Sequence, residues 1–166
     1  MITLSFEFNY KLDNQKTIKE WLNLIAKEEG NDIEELNFLF VDDQKMLDYN
    51  KKYLQHDYYT DIITFNSSDN NKISGDIIIS IERVIENSKK YNCEEEVELR
   101  RVMAHGLLHL LGYDDKDKLK EKDVLSLIKF ATSFPEHGSI SDGSNYAIFL
   151  RTCFVKVTKK MIENIL

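Results

Sequence analysis

The chain has 166 residues, 42% of them hydrophobic and 11% aromatic, enough for one globular domain with its own core and too apolar for a disordered chain. One proline and six glycines exclude collagen-like or linker-like composition. A net charge of −7 argues against nucleic-acid binding through bulk electrostatics, so any RNA contact has to use a local patch.

Residues 2–8 alternate Ile2, Leu4, Phe6 and Phe8 with Thr3, Ser5 and Glu7, the period of a strand with one buried face. Over 17–28 the spacing turns helical, with Ile18, Trp21, Leu22, Ile25 and Ala26 on one stripe and Gly30 as the stop. The apolar run LNFLFV at 36–41 predicts a second strand. Asp42 then offers an N-cap to a helix carrying Met46, Leu47, Asn50 and Tyr53. Two short apolar runs, 61–65 and 76–80, read as strands joined by a polar hairpin loop that contains Gly75. Helices are predicted over 81–91 and about 94–111, the latter opened by Glu94, Glu95 and Glu96, which favour a helix N-terminus, and ended by Gly112.

Beyond Tyr113 the chain is charged, then apolar at 124–130. From about 131 to 145 it is punctuated by Pro135, Gly138 and Gly143. A further strand is read at 146–157 and a helical turn or two at 158–166. The order implies an α/β (α+β) domain with a small mixed four-stranded sheet packed with helices.

Cys93 and Cys153 form no CxxC pair and read as thiols of a reducing cytosol. No signal-peptide pattern opens the sequence, and no apolar run approaches the roughly 20 residues of a membrane span, so the expected location is cytoplasmic.

The stretch that carries chemistry is HGLLHLLGYDD at 105–115. His105 and His109, four apart on a helix, project from one face and can share an ion. Gly112 breaks the helix, so the chain can turn back and bring Asp115 to the imidazoles. Two imidazoles and a carboxylate suit zinc, and three protein ligands leave a fourth position for water, the pattern of a catalytic site. Asp114 and Asp117 are rival carboxylates. Leu99, Met103, Leu107 and Leu110 fall on the opposite side of this helix, toward the core. His56 and His137 read as exposed loop residues. The same spacing occurs in metzincin zinc metalloproteases, but those place a general-base glutamate directly after the first histidine, where this chain has Gly106.

Three ordered motifs resemble the YbeY family of endoribonucleases. The family's HGxLHLxGYDH is matched by HGLLHLLGYDD. Its Asn and Tyr followed by TDVLSF are matched by Asn50, Tyr53 and TDIITF at 60–65. Its GDI-x-IS is matched by GDIIIS at 75–80. The resemblance is specific over about 35–115. It implies a single domain spanning 1–166, a zinc at the histidine helix, and cleavage of single-stranded RNA. The implied setting is ribosomal RNA maturation and ribosome quality control, with the small ribosomal subunit as partner. A non-catalytic ribosome assembly factor with a structural metal is the other reading.

The chain departs from the family pattern at three places. Asp115 stands where a third histidine is usual. Leu54 stands where an arginine often follows the tyrosine, removing a bidentate partner for phosphate. The segment at about 131–158 matches nothing expected. Arg83 and Arg101 read as solvated surface residues rather than substitutes for that arginine, and Asp61 and Asp76 read as turn caps at strand starts. No general base is singled out.

Overall fold

The computed structural model describes residues 1–113. Within them the chain runs β1 (Ile2–Phe6), α1 (Gln15–Glu28), β2 (Asp32–Val41), α2 (Asp43–Tyr49), a π-helical turn (Asn50–Leu54), β3 (Ile62–Asn66), β4 (Lys72–Ser80), α3 (Ile81–Tyr91) and α4 (Glu95–Leu110). The expected strand and helix at 146–166, His137, Cys153 and the atypical segment at 131–158 lie outside the described residues.

The sheet has the order β1-β2-β4-β3. β1 and β4 both run parallel to β2, and β3 returns antiparallel to β4, so the expected mixed four-stranded sheet is present. Alternation divides its faces. Leu36, Phe38, Phe40, Ile73, Ile77 and Ile79 point into the main core with α1, α3 and α4. On the other face Val41, Ile63 and Ile78 pack with Met46 of α2. No helix among the described residues is long and apolar enough to cross a membrane.

Local signals explain several boundaries. The Asp42 side chain accepts from the Lys45 amide at 2.8 Å, the cap read from the sequence. Ser80 caps α3 in the same way, accepting from the Arg83 amide. Two expectations are corrected. β4 begins at Lys72, inside the predicted loop, because 72–75 continue the parallel register against 32–36 of β2. Asp76 therefore sits mid-strand and caps no turn. The helix after Asp42 does not run through Tyr53 as one α-helix. It widens into the π-turn at Asn50, whose side chain is buried and donates to the Tyr58 carbonyl at 2.8 Å.

Candidate metal centre

α4 is buried almost all round. From Val97 to Leu110, every residue is buried except Arg101, His105 and His109. These three are spaced by four, so they form a partly exposed polar stripe, while the other two charged residues of this stretch, Glu98 and Arg100, are buried. The core-facing side expected from Leu99, Met103, Leu107 and Leu110 is present and wider than expected.

The helix lies close on the sheet because of Gly106. A Cβ there would meet Ile62 Cδ1 at 2.7 Å and Ile77 Cγ2 at 2.9 Å. The position that carries the catalytic glutamate in metzincins therefore faces the sheet, and a carboxylate there would be driven into the core rather than toward the histidines. Gly106→Ala should destabilise the fold by about 1–2 kcal/mol, overpacking outweighing the roughly 1 kcal/mol that alanine gains over glycine in a helix. Chemical denaturation checks this, and a stabilised variant would contradict the close approach.

At its C-terminus α4 ends in a Schellman turn. The Tyr113 amide bonds back to the Leu108 carbonyl at 3.1 Å, and the Gly112 amide to the His109 carbonyl at 3.0 Å. Gly112 takes φ +91°, a left-handed backbone that favours glycine. This turn hands the Tyr113 carbonyl to His109, whose Nδ1 lies 3.0 Å from it. A carbonyl only accepts, so Nδ1 carries the ring proton and Nε2 presents its lone pair. The Tyr113 hydroxyl donates to Glu29 at the end of α1 at 2.5 Å, which fixes the turn.

The outcome is a facing pair of imidazoles. His105 Nε2 and His109 Nε2 are 3.1 Å apart, and the rings meet edge-on with centroids at 4.5 Å and an angle of 85°. Zn–N bonds of about 2.0–2.1 Å at a tetrahedral angle put two ligand nitrogens about 3.3 Å apart, so the pair fits that shell. Among the described residues no third His, Cys, Asp or Glu joins it. Asp115, Asp114 and Asp117 lie outside the described residues, so two of the three expected ligands are placed.

The remaining polar residues differ from their expected roles. Arg101, one turn before His105, makes a bidentate pair with Glu98 at 2.8 and 2.9 Å. Its Nη2 is also 3.7 Å from Asp61, which accepts from Asn87. Arg83 is bidentate to Asp43, with Nη2–Oδ2 at 2.5 Å. Neither arginine is the solvated surface residue expected, because each is engaged by carboxylates of its own fold. Asp61 is likewise more than a turn cap. His56 is exposed as expected, its Nδ1 3.0 Å from the Tyr58 hydroxyl. Sequence reasoning missed Glu98, although a glutamate three residues before an arginine in an apolar helix was a readable sign of a buried pair. The Tyr113 carbonyl had no sequence signal, being backbone.

A sequence profile described as Endoribonuclease YbeY matches residues 4–131. The chain belongs to the YbeY family. A Cytophaga hutchinsonii protein described as Endoribonuclease YbeY is 49% identical over 129 residues, covering 73% of this chain and 90% of its own. One from Karelsulcia muelleri, described in the same words, is 43% identical, covering 76% and 89%. The solution structure of a Thermotoga maritima protein is similar with a TM-score of 0.59 at 27% identity, covering 86% of this chain and 99% of that one. The expected fold and the expected membership of a nuclease family are both borne out, and the histidine pair lies within the part that the YbeY profile matches.

Proposed function

We propose that this chain is a zinc-dependent, single-strand-specific endoribonuclease of the cytoplasm. Its task on this reading is ribosomal RNA maturation and ribosome quality control at the small ribosomal subunit. Zinc is held by His105, His109 and Asp115. The observation that carries the reading is the pair of Nε2 atoms 3.1 Å apart on the partly exposed polar stripe of α4, with the Nδ1 of His109 held by a backbone carbonyl.

When bound, zinc supplies a Lewis acid that polarises a phosphodiester oxygen and brings water toward ionisation near neutral pH. The chain's own residues do the positioning. The Schellman turn fixes the His109 tautomer, so its donor atom is ready before any ion arrives. The Glu98–Arg101 pair holds the preceding turn of the stripe. The apolar surround of α4 gives the site a dry wall, where a charge on phosphate is felt more strongly than in water. Peptide hydrolysis is disfavoured because Gly106 leaves no space for the general-base carboxylate.

The test offers the purified protein, with zinc, a single-stranded RNA, a duplex RNA and casein. The single strand should be cut and the other two left intact, and His105→Ala should abolish the cutting. Casein proteolysis that disappears in His105→Ala would replace the endoribonuclease by the protease.

A further inference from the structure

Among the described residues the large apolar side chains left exposed are Met1 and four from a single segment: Tyr53, Leu54, Tyr58 and Tyr59. Scattered exposed apolar residues need no explanation, but four within seven positions form a patch. Of these, Tyr53 lines an open groove of about 460 Å³ on the sheet face opposite α4, together with Asn37, Tyr49, Phe65 and Asp76 among others.

Three features of the groove suit one nucleotide. Tyr53 is 50% exposed and stands in an aromatic row, stacked with Tyr49 at 6.0 Å and edge-on to Phe65 at 5.4 Å. Lys52 holds its ammonium 4.9 Å from the Tyr53 ring centre, where it can pass to a phosphate when a base takes its place on the ring. On the floor, Asn37 Nδ2 donates to Asp76 Oδ1 at 3.1 Å, so the pair turns mainly acceptor oxygens outward. A carboxylate repels the carbonyl edges of uracil and takes the adjacent N–H groups of guanine. The buried Asn50, bonded to the Tyr58 carbonyl, fixes the segment that carries the tyrosines.

The groove and the histidine helix flank the same strand, β3, from opposite faces. β3 is an edge strand, with Ile62 against Gly106 of α4 and Phe65 in the groove. Three residues of strand span about 10 Å, so a single strand crossing this edge can touch both faces. We propose that the Tyr53 groove is a stacking subsite for an unpaired purine, guanine above all, of a single-stranded RNA whose neighbouring phosphates lie at the histidine pair. This rests on the endoribonuclease reading and gives it a substrate preference. It also reconciles RNA binding with a net charge of −7, since base stacking and one lysine replace a broad basic surface.

The experiment measures binding of labelled single-stranded oligoribonucleotides to the full chain in chelator, so that nothing is cut. An all-uridine oligomer is compared with the same oligomer carrying one central guanosine. The guanosine oligomer should bind more tightly. Tyr53→Ala should weaken it by about 5- to 150-fold, the range of one lost base stack, while Tyr53→Phe stays near wild type. Asp76→Ala should remove the preference for guanosine, weakening the guanosine oligomer and tightening the all-uridine one.

Unchanged guanosine-oligomer affinity in Tyr53→Ala overturns the subsite. So does a concentration-dependent dimer that Tyr53→Ala dissolves without altering RNA affinity, because the groove would then join two protein copies. The two readings fail separately. RNA bound through Tyr53 in chelator yet never cut with zinc refutes the enzyme and leaves the groove. RNA cut by Tyr53→Ala with wild-type affinity refutes the groove and leaves the enzyme.

Discussion

Replacing His109 by alanine should lower zinc affinity by at least about 100-fold, because loss of a mere supporting contact to a ligand already costs roughly 10–100-fold. The alanine removes a nitrogen donor whose tautomer the fold has set through the Tyr113 carbonyl. His105 cannot compensate alone, since its Nε2 is placed to share an ion across 3.1 Å. Competition titration against a chromophoric chelator reads the effect. The same titration ranks the carboxylates. Asp115→Ala should weaken zinc substantially and Asp115→His should keep it, whereas a loss at Asp114 or Asp117 with Asp115→Ala unaffected would move the third ligand. Wild-type affinity in His109→Ala would remove the histidine pair from the metal site.

Arg101→Met should destabilise the fold by about 3–5 kcal/mol, the usual cost of stranding one partner of a buried ion pair. Glu98 is only 2% exposed, and its two oxygens take the Arg101 guanidinium bidentately. Methionine fills the space of the stem but leaves the carboxylate in the core without that cation. At roughly 2–4 °C per kcal/mol for a chain of this size, the melting temperature should fall by about 6–20 °C. The double variant Glu98→Leu with Arg101→Met should recover most of the loss, since well-packed apolar pairs replace buried ion pairs at little cost. A single-variant shift below about 1 kcal/mol would mean the pair is effectively solvated.

Periodicity and punctuation carried most of the fold. The helix at 81–91 has the bounds its spacing predicted, and the second helix differs from its predicted bounds by a residue at each end. Both are set by local signals, a serine cap in one and a glycine stop in the other. β4 was misjudged at its start because Lys72, Ser74 and Gly75 are weak strand formers. Parallel pairing with β2 overrides that preference, and no local pattern records a partner some 40 residues away. The π-turn at Asn50 was equally hidden, since it depends on a hydrogen bond to Tyr58 across a loop.

The candidate site was legible to the extent that it is written along one helix. Two histidines four apart and a glycine three beyond them predict a shared face and a stop, and both are present. Interactions that cross between elements were not legible. Asp61 reaches Arg101 from the start of β3, and Tyr113 reaches Glu29 from the far end of α4. Arg83 was misread for the same reason, since its carboxylate partner Asp43 sits on α2, whereas the Glu98 partner of Arg101 lies on the same helix and was there to be read.

Metal-free protein should be given a single-stranded RNA and followed before and after one equivalent of zinc, beside His109→Ala treated identically. The prediction is no cleavage before zinc, cleavage that rises to a plateau at one zinc per chain, and none by the variant at the same zinc level. Cleavage by the metal-free protein, or equal cleavage by His109→Ala, would contradict a metal-dependent endoribonuclease built on the His105–His109 pair.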